Sequence, residues 1–554
     1  MKEITPKTTL LVNYLDVVER NISTARVSFA DTILEVERVA DTPTDGLPYL
    51  VPGLIDSHVH IESSMLVPQR FASMVIPHGT IGVVSDPHEI ANVLGEEGVR
   101  YMMDDAAKSP LHFYFGLPSC VPATPFETNG AEFGPEQIRR LMPRAVALAE
   151  MMNYPGLLGG DPKVLEEMQI AKEAGKPVDG HIPGITDERL KSYVAAGVST
   201  DHESYELSEA QAKIDLGMKI LIREGSAARN LAALEPLFST NIPDIMACTD
   251  DAHPDDIEDR GHIDKFYRRA RQMGIDVFDI FRVLTLNPIE HYHLDAGRGQ
   301  VGDAADFVLI SDIDKYDVRK VYIGGNMVFA DGNLTYQVSD TPVVNNFADR
   351  SFTPADFRII APNDRPTARV IGLIKDQLVS QCKMWETTAR AGEEVKADVE
   401  QDVLKISVIN RYSATAPVMN GFISGVGMKR GAMAASIAHD SHNVVVIGTD
   451  AEVMAEVANE MFRMKGGIVL SAGLGSEMRK LELPVAGLMT TRPWQEVATD
   501  YRRLVALAQR ECGTTLASPF MTMAFMSLLV IPSLKIGDRG LFDVDKFEFV
   551  ELFS

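Results

Sequence analysis

Between Val51 and Pro254 the chain repeats one rhythm: a short apolar run, polar residues at its end, then a stretch with helical spacing. The first run, VPGLIDSHVH, closes on His58 and His60 and leads to a helix near 68–76. GTIGVVSDPHE ends at Asp86, His88 and Glu89 before the helical GEEGVRYMMDDAA, and LHFYFGLPSC ends near Ser119 and Cys120. ALAEMMN carries Glu150, although this run also fits the end of a helix begun at Pro135. KPVDGHIPG ends at His181 before the helical TDERLKSYVAA, and GVSTDHES ends at His202. KILIREGS makes a seventh run, and IPDIMACTDDAHP ends at Asp250 and Asp251. Eight successive strand-like runs, mostly with helices between them, are the count for a (β/α)8 barrel.

In an extended strand, residues two apart point the same way, so His58 and His60 present both imidazoles to one spot. Closing the barrel would carry the other strand ends to the same mouth. Any one of these residues is as readily a turn or capping group. As a set they read as a site. His58, His60, Glu150, His181, His202 and Asp250 suffice for two metals sharing one carboxylate. Imidazoles and carboxylates without thiolates suit iron, manganese or zinc.

The chain before and after the barrel fits the same plan. Runs between Thr8 and Val39 read as three or four strands, and GRGQVGDAADFVLISD to VYIGGNMVFADG returns to strands after the amphipathic helix VFDIFRVLTLNPIEHYHL. The two sets of strands are expected to form one small composite sheet. Residues 339–354 read as a linker, and 369–554 as a separate α/β or α+β domain. The expected limits are therefore 1–52 and 296–345 for the two parts of the side sheet, 53–295 for the barrel and 346–554 for the C-terminal domain.

Composition removes several function classes. Lys and Arg number 53 against 78 Asp and Glu, and the net charge of -25 argues against a nucleic-acid partner. No apolar run approaches the length needed to span a bilayer, and the start carries no recognisable leader, so a cytoplasmic protein without a membrane partner is expected. The four cysteines are widely spaced and form no CxxC pair, consistent with free thiols.

Beyond the ligands, PGLIDSHVHIESSM, SDPHEIANVLG, PSCVPATPFETNGA, CTDDAHPDD, GAMAASIAHDSHNVVVIGT, LPVAGLM and VIPSLKIGDRGLFDV resemble the bacterial adenine deaminase family of the amidohydrolase superfamily. The resemblance covers nearly the whole chain, including its C-terminal part. It implies hydrolysis of adenine to hypoxanthine and ammonia at a binuclear iron or manganese centre, and a homo-oligomer is expected. Carried over by position, His58 and His60 match the first-strand ligands, Glu150 the bridging carboxylate, His181 and His202 the ligands of the second metal, and Asp250 the eighth-strand ligand. Asp86, His88 and Glu89 match the motif where the family's proton-transfer roles are placed, and Asp250, expected to touch both metal and hydroxide, is the natural proton acceptor.

Other residues carry plainer readings. Glu62, Ser63 and Ser64 fit either substrate contacts or a helix cap, and Cys120 fits either a pocket lining or packing. His439 and His442 resemble a metal pair, but with no third ligand in view a hydrogen-bonding role is expected. Three rival functions remain. An amidohydrolase for a cyclic amide or N-acyl amino acid would share barrel and ligands, though many of these bridge their metals with a carboxylated lysine where this chain offers Glu150. A small zinc deaminase would need a CxxC, which is absent. A binding protein on a decayed barrel would not be expected to keep all six ligands.

Overall fold

Strand-like runs rich in β-branched residues and flanked by glycine, proline or polar turns become strands in the computed structural model, which describes residues 7–226, 228–374, 377 and 379–554. Residues 1–6, at the start of the expected side sheet, lie outside the described residues. Contacts divide the chain into two units. One comprises 1–87, 100–119 and 134–341; the other comprises 88–99, 120–133 and 342–554.

The first unit opens with β1 (Thr8–Asp16), β2 (Asn21–Phe29), β3 (Ile33–Ala40) and β4 (Tyr49–Pro52). At the β1–β2 turn, Asp16 Oδ1 accepts the backbone N–H groups of Val18 and Glu19, both at 3.0 Å. The barrel follows as β5 (Leu54–Val59), β6 (Thr80–Ser85), β7 (His112–Leu117), β8 (Ala147–Met151), β9 (Val178–Gly180), β10 (Thr200–Asp201), β11 (Lys219–Arg223) and β12 (Ile245–Cys248). Strands β5 to β9 form one parallel arc and β10 to β12 another.

Both seams between the arcs are bonded. Ser199 donates its backbone N–H to Val178 O at 2.9 Å on one side, and a parallel bridge joins Val59 to Asp250 on the other. The result is a (β/α)8 barrel, with Glu150 on a strand. The helix begun at Pro135 stops at Leu141.

After the barrel, the amphipathic stretch is helical over Val277–Phe281 and Asn287–Tyr292 with a π turn between. Then β13 (Phe307–Ile310), β14 (Val318–Ile323), β15 (Asn326–Ala330) and β16 (Asn333–Leu334) return to the first sheet. Its order is β16-β15-β14-β13-β4-β1-β2-β3, so the expected composite forms, larger than foreseen at eight strands. Phe29, Phe307 and Tyr322 pack its centre, with ring centroids 4.7–5.4 Å apart.

The second unit holds its own eight-stranded, mostly antiparallel sheet. The helix Ala451–Met464 covers it, capped by Asp450, whose side chain accepts the Val453 N–H. No helix among the described residues is long and apolar enough to cross a membrane.

Candidate metal centre

Each ligand candidate of the first unit stands at or just past the C-terminal end of a barrel strand. His58 is the last residue but one of β5 and His60 follows the strand, and Glu150 lies on β8. His181 follows β9, His202 follows β10, and Asp250 follows β12. Asp250 adopts a left-handed backbone (φ 58°) and is fastened to the first strand from both sides. Its N–H donates to His58 O at 2.9 Å, and its carbonyl accepts the His60 N–H at 3.0 Å. That pairing fixes the carboxylate beside both imidazoles.

Glu150 joins the two halves of the cluster. Its Oε1 lies 3.3 Å from His60 Nε2 and 4.0 Å from His58 Nε2, while its Oε2 lies 2.8 Å from His181 Nδ1 and 3.4 Å from His202 Nε2. Asp250 Oδ1 sits 3.3 Å from His58 Nε2 and 3.1 Å from His60 Nε2. Metal–ligand bonds of about 2.1 Å place neighbouring ligand atoms about 3–3.4 Å apart, and most of these spacings meet that range.

The chemistry agrees. His58 Nε2 is buried and lacks a hydrogen bond of acceptable geometry, an orphaned polar atom that lies among the carboxylates of the cluster. His60 Nδ1, on the other ring edge, meets the backbone carbonyl of Asp86 at 3.1 Å, which leaves Nε2 as the ligand atom.

Electrostatics keep the acids ionised and one base neutral. Burial works to raise the Glu150 pKa, but hydrogen bonds from His181 and His60 hold it well below the usual carboxylate range. His202 is pushed down to about 4 by burial and by the neighbouring His58, whose ring stacks on it at 4.2 Å. A neutral imidazole is the form that binds a cation.

Three residues of this cluster were not singled out from the sequence. Arg223, the last residue of β11, places Nη1 2.5 Å from both Glu203 Oε1 and Asp250 Oδ2. Glu203 Oε1 lies 3.6 Å from His202 Nε2 and 3.9 Å from His181 Nδ1, within the second half-site. Lys213, fully buried, donates to Ile182 O, Asp201, Ser204 and Glu209 at 2.7–3.0 Å, tying together the segments that carry His181 and His202. An arginine ending a barrel strand was the available signal for Arg223; a lysine inside a helix gives none.

The SDPHE motif divides between the units: Asp86 belongs to the first, His88 and Glu89 to the second. His88 and Glu89 open a helix, His88–Leu94, rather than extending the strand. Within the second unit Glu89 meets both histidines of the HDSHN segment. His439 Nδ1 lies 2.5 Å from Oε1, and His442 Nε2 bonds Oε2. The expected hydrogen-bonding role of His439 and His442 is what the geometry displays.

The Ser63–Ser64 cap does not form, because the helix from Pro68 has Val67 at its N-cap. Ser63 Oγ bonds Asp251 Oδ1 at 2.5 Å and Ser64 Oγ bonds Ile61 O at 2.6 Å instead. Cys120 is a buried thiol.

Residues 49–328 match the amidohydrolase family, and residues 377–548 match the adenine deaminase C-terminal domain. An adenine deaminase of Methanosarcina mazei is 45% identical over 532 residues, 94% of this chain and 95% of that protein. One of Salinibacter ruber is 45% identical over 541 residues, covering 97% and 98%. Among solved structures, a β-aspartyl dipeptidase of Fervidobacterium islandicum aligns over 61% of this chain and 99% of its own at 15% identity and a TM-score of 0.45. By the amidohydrolase match and these near full-length identities, the chain belongs to the amidohydrolase family and, within it, to the adenine deaminases.

Proposed function

We infer that this chain hydrolyses adenine to hypoxanthine and ammonia, taking one water per turnover. The observation that carries this reading is near full-length identity of about 45% to proteins named adenine deaminase, joined to a buried cluster of imidazoles and carboxylates at the barrel strand ends.

His58, His60, Glu150, His181, His202 and Asp250 would hold two divalent cations, with Glu150 shared between them. Bound manganese or iron would lower the pKa of a coordinated water, so that a nucleophile exists near neutral pH to attack C6 of adenine. Asp250, ionised beside Arg223, takes the proton released by the attacking water. Glu89, with His88, passes the proton that the water releases on to the purine ring, making C6 electrophilic; the C6 hydroxyl then gives its proton through Asp250 to the amino group, which leaves as ammonia as the C6 carbonyl forms. Asp86 supports this by holding His60 through its backbone carbonyl.

The domain limits proposed are 1–52 and 296–345 for the side sheet, 53–295 for the barrel and 346–554 for the C-terminal domain. Sheet membership supports the first three, since β1–β4 and β13–β16 share one sheet. We place the enzyme in the cytoplasm as a homo-oligomer without nucleic-acid or membrane partners; its charge of -25 supports the reading as to nucleic acid.

The test is ammonia release and ultraviolet absorbance loss from adenine with manganese-loaded protein. Adenosine, dihydroorotate, hydantoin and N-acyl amino acids are assayed beside it. Adenine is expected to react well and adenosine, with ribose at N9, much less. Turnover of an amide with none of adenine would move the assignment to a cyclic-amide or N-acyl hydrolase.

A further inference from the structure

The SDPHE acid has two partners that lie far along the chain. His439 and His442 sit in the buried loop between the strands Ala432–Ala435 and Val444–Gly448. The loop is pinned: His439 N–H donates to Ala524 O at 3.0 Å, His442 N–H to Ala438 O at 2.7 Å, and Tyr412 O–H to Ser441 O at 2.6 Å. His442 holds a left-handed backbone (φ 53°), a conformation that L residues adopt at a cost and that accumulates at functional sites. Phe525 stacks on the His439 ring at 4.6 Å and fixes its plane.

The hydrogen bonding assigns the tautomer of His442. Its Nδ1 accepts the Ala438 N–H at 3.2 Å, so the neutral ring carries its proton on Nε2, facing Glu89 Oε2. Burial, the largest influence, pushes the His442 pKa down to about 4, which keeps the ring neutral. His439 offers Nδ1 to the other oxygen at 2.5 Å.

These distances distinguish a clamp from a cation cage. Ligands sharing one cation stand about 3 Å or more apart, whereas the imidazole nitrogens here are at direct hydrogen-bond length from the carboxylate. His88 Nε2 is farther off, 3.4 Å from Glu89 Oε1 and 4.0 Å from Asp440 Oδ1.

We propose that His439 and His442 are positioning residues that grip the two oxygens of Glu89 and aim it for proton transfer. This gives the HDSHN segment, and with it the C-terminal half of the chain, a part in the reaction. The proposal rests on the role given above to Glu89. Each ring acts through a defined atom: His439 through Nδ1, His442 through Nε2.

Those atoms set a crossed test. The amide nitrogen of asparagine sits where Nδ1 does, and that of glutamine where Nε2 does. His439→Asn and His442→Gln should therefore each retain at least about fivefold more kcat than His439→Gln and His442→Asn, with the mismatched pair about tenfold or more below wild type. KM for adenine and metal content should stay within about twofold throughout. In a Glu89→Gln background the mismatched changes should cost nothing further.

Equal loss in matched and mismatched variants, loss of bound metal, or full additivity with Glu89→Gln would overturn the clamp. The clamp also has a readout apart from turnover, the 15N-histidine NMR signal of the His442 Nε2–H. It should move in Glu89→Gln, and an unmoved signal overturns the proposal. If Glu89→Gln turns over normally while that signal moves, the failure lies with the catalytic role of Glu89 and the claim that the grip serves proton transfer falls with it.

Discussion

Replacing Lys213 with methionine tests how the second half-site is held. Lys213 Nζ has four acceptors within 3.0 Å, and one of them, Asp201 Oδ2, is itself fully buried. Asp201 also receives N–H groups from Ile182 at 3.0 Å and Glu203 at 3.1 Å and the Ser204 hydroxyl at 2.8 Å. Lys213→Met keeps the length of the chain but leaves Asp201 a buried anion without its cation, a change that costs about 3–5 kcal/mol. The remaining donors favour the lower end.

The first unit has about 300 residues, and unfolding entropy of about 2.1 cal/mol/K per residue converts that cost to a fall of about 5–8 °C in Tm. Scanning calorimetry on metal-free protein measures it without the added stabilisation that ligand binding gives. Burial works to raise the Asp201 pKa, but Lys213 and His202 hold it below the usual value. Its contribution is therefore present above the unfolded-state pKa of about 4 and fades as pH falls through the lower folded value, so the gap between variant and wild type closes in acid. A shift under about 2 °C at neutral pH, or a gap that persists unchanged in acid, would refute the reasoning.

Further expectations follow from named side chains. His58→Ala should lose metal and activity together, because a missing ligand empties the site; elemental analysis giving two metals per chain in an inactive variant would contradict it. Arg223→Met leaves Glu203 and Asp250 facing each other without the guanidinium that lies 2.5 Å from both; turnover should fall by about tenfold or more with KM less affected, as steady-state kinetics will read. In the second unit, burial first and then the Asp440 charge push the Glu127 pKa up to about 8. The unfolded chain ionises this group near 4.5 while the folded chain keeps it protonated, so its destabilisation grows from about pH 5 to pH 8 and then levels. Glu127→Gln should gain in Tm over wild type across that window, and a pH-independent difference would count against it.

The barrel was legible because each strand is short, apolar and followed by a local helix signal. Even β10, only two residues long, is marked by the polar residues after it. The strand-end positions of the six ligand candidates were legible for the same reason, since strand ends are local features. Glu203 escaped because it looks like an ordinary turn acid after His202. Lys213 and Arg223 escaped because their value lies in what they touch, at separations of 9 to 31 residues that no period encodes. Glu89 was placed at a strand end by its spacing from Asp86, yet the chain turns into a helix at His88. Its partners, 350 and 353 positions away, leave no trace in local pattern.

That separation also sets an order in time. A ribosome adding about 5–20 residues per second needs roughly 20–70 s to travel from Glu89 to the histidines that grip it. For about the second half of that interval the nascent chain already carries the last barrel ligand candidate, Asp250, while the carboxylate of Glu89 waits for its donors. The segments 88–99 and 120–133 cluster with residues made long after them, so no single cut in the chain yields both units whole. A product that stops between Asp250 and His439 would hold every barrel ligand candidate and still lack the two imidazoles that meet Glu89, an acid synthesised early and given its partners only near the end.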